Sequence, residues 1–254
     1  MGAHLGQHFL ASEGYRKRIL DALRLTGRET VLEIGPGRGE LTALIAERAG
    51  RLIAVEIDPV LAARLREQFV ENPRVEIVQA DILRVPLDAW PAPVRAFGNL
   101  PYYITSPILL RLFENARRFD RIVVMVQQEV AERLSAQPGT RDYGLLTVTA
   151  NFYTSVRMLF TIPPGAFQPR PKIFSAVVEM KIAPKELAGE KAFFRMAKEA
   201  FAQKRKTLMN NLKQSYGTDR VKAALGAVAL KETARAEELS VEKMIELFLA
   251  LGLP

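Results

Sequence analysis

The stretch Phe97-Gly98-Asn99-Leu100-Pro101-Tyr102 holds the groups that activating an aromatic amine requires. An amine attached to a purine ring is a poor nucleophile because its lone pair is delocalised into the ring. Accepting hydrogen bonds from both of its N–H groups localises that pair. The Asn99 side-chain oxygen and the Leu100 backbone carbonyl are placed to do so together. Pro101 fixes the turn between them, and Tyr102 offers a face on which a base extruded from its helix can stack. An ordinary Asn-x-Pro turn beside a core tyrosine uses the same residues, so the segments before it matter.

Glu33-Ile34-Gly35-Pro36-Gly37-Arg38-Gly39-Glu40 follows a β-branched run. Glycines this dense after a strand permit a tight turn and close backbone approach to a ligand at a helix start. A dinucleotide fingerprint counted from Gly35 needs its third glycine at position 40, where Glu40 stands. Glu33 would also repel a pyrophosphate. A cofactor with a cationic or zwitterionic end fits better, and S-adenosylmethionine is such a molecule. A plain tight turn remains the alternative for the loop alone. Glu56 ends the next β-branched run, 21 residues after Gly35, where a carboxylate meets ribose hydroxyls in doubly wound sheets. Asp81 follows the run Val75–Val78 and is suited to accept from an adenine amine. A single acid at a strand end is usually a helix cap; a glycine loop and two acids in this order are less often accidental.

His4 and His8 lie four apart, but no carboxylates at matching spacing accompany them, and no metal is expected. The seven methionines are scattered and read as core filler. Without cysteine the chain has no disulfide, thiolate metal site or cysteine nucleophile. No apolar run approaches the ~20 residues of a membrane helix, and no leading secretory pattern is visible. A cytoplasmic protein without a membrane partner, monomeric, is expected. The 36 lysines and arginines against 28 acidic residues give a net charge of +8, which favours polyanionic partners, nucleic acid first.

The elements that must position these residues are an alternation of strands and helices. Thr30–Ile34, Arg51–Glu56, Val75–Val78, Val94–Phe97 and Arg121–Val126 read as strands. Glu40–Ala49, Pro59–Val70 and Pro107–Phe113 read as helices, the last with Ser106 as N-cap. Such alternation predicts a parallel sheet covered on both faces. Glu13–Leu25 reads as a leading helix and Tyr143–Tyr153 as helical. Ser155–Ile162 and Ser175–Ile182 read as a hairpin joined by a proline-rich loop. The predicted architecture is a doubly wound α/β domain over 1–184 and a small all-helical domain over 185–254.

The helical segment holds 13 basic and 9 acidic residues. Its excess lies early, in 185–223, with 10 basic against 4 acidic. Lys191, Arg195, Lys198 and Arg205 fall at spacings that share one face of a helix. Phe194, Ala197, Phe201, Leu208 and Leu212 fall on another. Lys204 and Lys206 add charge beside Arg205. A basic face is usually solvated surface; beside a base-modifying site, phosphate contact is the expectation.

The chain resembles the rRNA adenine dimethyltransferases, in particular the KsgA-type enzymes of the small ribosomal subunit. The resemblance runs almost end to end. It is carried by Gly6-Gln7-His8-Phe9-Leu10, Glu33–Gly39, Val55-Glu56-Ile57-Asp58, Gln79-Ala80-Asp81, Asn99–Tyr102, the loop Phe167–Ser175 and the run Phe201–Leu212. It implies a class I S-adenosylmethionine-dependent methyltransferase fold. It also implies dimethylation of the N6 amines of two adjacent adenosines in a hairpin near the 3′ end of 16S rRNA. That activity belongs to small-subunit biogenesis, with the rRNA or the 30S particle as partner. By resemblance His8, Leu10, Gly35, Gly37, Glu56, Asp81 and Asn99 are cofactor-contacting positions. Phe167 matches an aromatic near the target base, joining Asn99, Leu100, Pro101 and Tyr102. His8 stands where the family usually has Asn, and Tyr103 where Asn commonly follows the motif tyrosine. Two other functions use the same features: a large-subunit (23S) rRNA adenine methyltransferase of the macrolide-resistance type, and an assembly factor with the fold and no chemistry.

Overall fold

The computed structural model describes residues 8–253; His4, Gly6 and Gln7 lie outside the described residues. Contacts divide the chain into two compact units. One comprises the residues up to Ala131 together with Thr154–Ile182; the other comprises Glu132–Tyr153 and the chain from Ala183 onward.

In the first unit all seven expected strands form, with two short ones besides. In chain order they are β1 (Phe9–Leu10), β2 (Thr30–Ile34), β3 (Arg51–Glu56), β4 (Val75–Gln79), β5 (Val94–Asn99), β6 (Phe119–Gln127), β7 (Thr154–Ile162), β8 (Phe167–Gln168) and β9 (Ser175–Ile182). Seven of them make one sheet in the order β4-β3-β2-β5-β6-β9-β7. β2 to β6 run parallel, and β9 adds antiparallel to β6 and β7. Val, Ile and Leu dominate the central strands because both faces are covered. The helices of this unit are α1 (Glu13–Leu23), α2 (Glu40–Arg48), α3 (Pro59–Gln68) and α4 (Thr105–Glu114). Asp58 caps α3 by accepting from Val60 N at 2.8 Å and Leu61 N at 3.2 Å, with Pro59 in the first turn. The chain moves outward from β2 through β3 to β4, then returns to β5 on the other side of β2. Ligands bind at such a switch point, beyond the carboxyl ends of the strands.

One local expectation is corrected here, and one feature is new. Ser106 is not an N-cap, because a 3₁₀ turn at Tyr102–Ile104 runs directly into α4, which starts at Thr105. Thr105 Oγ1 donates to Pro101 O at 2.9 Å and ties helix to turn. The two-stranded ribbon of β1 and β8, pairing Phe9 with Gln168 and Leu10 with Phe167, was not foreseen.

The second unit is helical. A helix α5 (Gln128–Leu134) crosses the division between units, and α6 (Leu145–Tyr153) follows it. Then come α7 (Glu190–Ala200), α8 (Leu208–Tyr216), α9 (Thr218–Ala227) and α10 (Val241–Ala250). Residues 132–153, expected in the first domain, group with these helices. The cause is an aromatic cluster. The Phe152 ring lies 5.2 Å from that of Phe193 and 5.0 Å from that of Phe194, and Phe193 lies 5.8 Å from Phe248. The expected helix face through Arg205 is also corrected. α7 ends at Ala200, where Asn211 Nδ2 donates to the carbonyls of Ala200 (2.7 Å) and Gln203 (3.2 Å). Thr207 then caps α8. Lys191, Arg195 and Lys198 therefore lie exposed on α7, while Lys204, Arg205 and Lys206 lie exposed in the loop after it.

Candidate active site

The carboxyl ends of β2, β3, β4 and β5 open into one cavity of about 1130 Å³, its mouth included. Its walls bring together His8, Leu10, Gly35, Gly37, Glu56, Asp81, Asn99, Leu100, Pro101 and Tyr102, all ten named from the sequence. Phe167 is not among them. Its ring is 4% exposed and packs into the core with Leu10, Phe97, Ile162 and Val177, because pairing with Leu10 turns it inward. The structure thus does not bring Phe167 to the cavity wall beside Asn99–Tyr102.

Asn99 ends β5 with its side chain held at one end. Nδ2 donates to the His8 backbone carbonyl at 3.0 Å. A carbonyl only accepts, so the amide nitrogen must occupy that side and Oδ1 must point the other way. No described residue donates to Oδ1. The Leu100 N–H is bonded to Met125 O at 3.0 Å, and its own carbonyl receives no described donor. Two acceptors without partners thus lie side by side at the cavity wall. Tyr102 is held by its hydroxyl, 3.2 Å from Ser175 Oγ, and by a tilted contact between its ring and that of His8, with centroids 5.9 Å apart.

The acids differ in state. Glu33 is 1% exposed, and its Oε2 has no hydrogen-bond partner. Burial pushes its carboxyl up to about 8 from a usual 4.5; the neighbouring Thr42 hydroxyl tempers this, and the charges of Glu56 and Glu40 add to it. The Thr42 hydroxyl itself lacks a well-formed hydrogen bond, so it leaves Glu33 unsatisfied. Glu56 is also raised by burial, but backbone N–H groups favour its charge. Its Oε2 accepts from Gly37 N at 3.1 Å and its Oε1 from Asp58 N at 2.9 Å. Each oxygen keeps a further lone pair. Asp81 serves a local turn with Oδ1, which accepts from Leu83 N at 2.9 Å, while Oδ2 has only the Arg84 guanidinium at 3.9 Å. Reading the acids alone missed the apolar residues directly after two of them. Ile57 and Ile82 line the cavity beside Glu56 and Asp81 and add apolar surface to this wall. The repeated acid–Ile pair was the available signal.

The glycine loop wraps close to β1. Gly37 has φ +60°, and a Cβ there would come within 2.9 Å of the Phe9 ring. That ring is in turn covered by the Arg38 guanidinium at 4.3 Å. Among the described residues no cluster of histidine and acidic side chains is arranged to hold a metal ion.

A parallel sheet with acids at successive strand ends, a glycine loop and an aimed carboxamide define a nucleotide-cofactor enzyme that acts on an amine. The family model for ribosomal RNA adenine dimethylase matches residues 2–252. The chain is 48% identical to the ribosomal RNA small subunit methyltransferase A of Koribacter versatilis, over 97% of this chain and 93% of the relative. It is 46% identical to the protein of that name from Acidobacterium capsulatum, over 97% and 90%. A dimethyladenosine transferase from Plasmodium falciparum superposes with a TM-score of 0.81 at 23% identity, covering 97% of this chain and 99% of the other. The 23S rRNA methyltransferase ErmE superposes at 0.75 with 30% identity, covering 96% and 99%. The chain belongs to the ribosomal RNA adenine dimethylase family.

The tightness of the loop can be tested directly. Gly37→Ala combines left-handed backbone strain with the Phe9 contact. Gly35→Ala at φ +68° meets nothing nearer than Asn99 O at 4.0 Å. Gly35→Ala should cost about 1 kcal/mol and Gly37→Ala about 2–3 kcal/mol of stability. Chemical denaturation measures both, and equal losses would contradict the packing described.

Proposed function

We propose that this chain dimethylates the N6 amines of two adjacent adenosines in a hairpin near the 3′ end of small-subunit rRNA. S-adenosylmethionine is the methyl donor, and the step belongs to small-subunit biogenesis in the cytoplasm. The observation that carries this reading is the Asn99 carboxamide, locked by His8 so that its oxygen faces the cavity beside the free Leu100 carbonyl.

The cavity fits the cofactor. The buried Glu33 oxygen without a partner suits an ammonium group, the Glu56 lone pairs suit ribose hydroxyls, and Asp81 Oδ2 suits the adenine amine between Ile57 and Ile82. When bound, S-adenosylmethionine supplies a methyl group made electrophilic by its sulfonium. Asn99 Oδ1 and the Leu100 carbonyl accept from both N–H groups of the target adenine and hold its lone pair toward the cavity. Those bonds strengthen as the nitrogen gains positive charge, which stabilises the transition state more than the ground state. Tyr102, fixed by Ser175 and His8, supports the flipped base. No strong base is needed, because the nitrogen sheds its proton after it becomes cationic. After one methylation the amine keeps one N–H for the remaining acceptor, so a second round at the same site is chemically open.

The small-subunit assignment rests on relatives at 46–48% identity over nearly the whole chain, against 30% for the large-subunit enzyme. The cations of α7 and the following loop would meet RNA phosphates; Lys191, Arg195, Lys198, Arg205 and Lys206 have no ion pair among the described residues, while Lys204 is tied to the Arg141 carbonyl. No helix among the described residues is long and apolar enough to cross a membrane. A monomer is the working form. Labelled methyl transfer to unmodified small subunits, large subunits and free rRNA, followed by nucleoside analysis, tests the substrate. Label in dimethyladenosine of the large subunit alone would overturn the assignment.

Three outcomes are expected. Asn99→Ala should lower single-turnover transfer roughly a hundred- to thousandfold at saturating cofactor, with RNA affinity little changed. A rate near the parent's would remove Asn99 from the mechanism. Glu33 must ionise to hold an ammonium, and in the free protein it is neutral below about pH 8. Cofactor binding at pH 7 should therefore release close to one proton, and affinity should climb with pH and level off above 8. Calorimetry in buffers of different ionisation enthalpy measures the release, which Glu33→Gln should abolish. Neutralising Lys191, Arg195 and Lys198 together should flatten the log–log salt dependence of RNA binding by up to about 0.7–0.9 per lost phosphate contact. An unchanged slope would place the RNA surface elsewhere.

A further inference from the structure

We propose that His8 sets how strongly the pocket prefers a sulfonium to a thioether, and that it does so through a charge on its Nε2. The inference rests on the methyltransferase reading above and concerns the charge of the ligand at the reacting end of the cavity.

His8 Nδ1 lies 2.8 Å from the Pro169 carbonyl oxygen. That oxygen can only accept, so Nδ1 carries hydrogen in both protonation states, and Nε2 is the atom that titrates. Protonation therefore changes the charge of the ring without breaking the bond that orients it. The position of the ring gives that charge a target. The backbone carbonyl of the same residue holds Asn99, and the imidazole lies against the Tyr102 ring. His8 thus belongs to the part of the cavity wall shared with Asn99 and Tyr102, where on this reading amine, methyl and sulfonium must meet.

Other charges bear on its titration. From the strand ends and α2, Glu40, Glu56 and Asp81 face the same cavity and favour a positive ring, while Glu33, neutral below about pH 8, joins them only once ionised. The Tyr102 hydroxyl faces it from the turn after β5. Arg16, bonded to the Leu10 carbonyl, Arg38, over Phe9, and Arg170, next to Pro169, oppose it. S-adenosylmethionine carries one positive charge more than S-adenosylhomocysteine, and that charge sits on sulfur. An imidazolium at His8 repels it, while the two ligands share the ammonium, carboxylate and adenosine. The ratio of their affinities isolates this interaction from Glu33, which meets the ammonium common to both.

Calorimetry with S-adenosylmethionine and S-adenosylhomocysteine between pH 5.5 and 8.5 reads that ratio. In the parent, preference for the sulfonium should rise about three- to tenfold as pH climbs through the His8 titration, the size expected for two charges several ångströms apart at a partly wet site. His8→Asn keeps a donor toward Pro169 and removes the titration, so its ratio should lose that rise. The parent's own histidine signals provide a second readout. The chain has two histidines, His4 and His8, so the His8 resonance is assigned by its loss in His8→Asn. By linkage its pKa should drop further on binding S-adenosylmethionine than on binding S-adenosylhomocysteine. A ratio with the same pH dependence in both proteins, or a His8 pKa equally affected by both ligands, overturns the proposal. Should His8→Asn fail to fold, the parent's resonance decides alone. Failure of either ligand to bind at any pH would sink the methyltransferase reading itself.

Discussion

A carboxamide can present its oxygen to a ligand only while something else occupies its nitrogen. In this protein the occupant is the His8 carbonyl, and the rest of the site depends on that bond. His8 is in place because β1 is tied down from several sides. β8 pairs with it, Arg16 binds the Leu10 carbonyl at 2.7 Å, Arg38 covers Phe9, and the narrow Gly37 turn lets the Phe9 ring approach. Each of these contacts is local and modest. Their combined effect is to fix the one bond that leaves the Asn99 oxygen without a described donor at the cavity wall.

The acids illustrate how one sheet edge creates different electrostatic environments. Glu33 and Glu56 leave adjacent parallel strands, and both are buried. Glu56 finds two backbone N–H groups, Gly37 in the turn after β2 and Asp58 after its own strand, whereas Glu33 Oε2 finds none. The difference is a matter of loop geometry more than depth. It divides the cavity into a wall prepared for neutral hydroxyls and a point that calls for a cation.

Much of the first unit was legible in the sequence because its signals are short-range. β-branched runs of four to six residues mark buried parallel strands, and polar residues directly after them mark the ligand edge. Gly35, Glu56, Asp81 and Asn99–Tyr102, read from these signals, do line the cavity, and so do His8 and Leu10, which only the family resemblance supplied. What escaped was set by partners far along the chain. Periodicity carried the basic face on to Arg205 because no Gly or Pro interrupts 198–206; the helix stops where Asn211, on the next helix, takes the carbonyls of Ala200 and Gln203. Residues 132–153 joined the helical unit because the ring of Phe152 finds those of Phe193 and Phe194 some forty residues later. Resemblance alone places Phe167 near the target base, and its pairing with Leu10, 157 residues away, is what buries it. The protonation of Glu33 was likewise invisible, since it depends on the absence of a donor.

The β1–β8 ribbon also dictates an order of assembly. Phe9 pairs with Gln168, a separation of 159 residues, so β1 leaves the ribosome long before its partner strand exists. By the time residue 127 has emerged, the strands β2 to β6 can pair among themselves and form the floor of the cavity. The carbonyl that orients Asn99 is anchored only after residues 167–168 follow. Closing so long a segment has an entropic cost that grows only slowly with its length, so the delay imposes a sequence of events more than an energetic obstacle. A nascent chain shorter than this would hold the strand ends formed, with the β1 wall of the cavity still open. The two walls of one cavity therefore arise at different moments of synthesis.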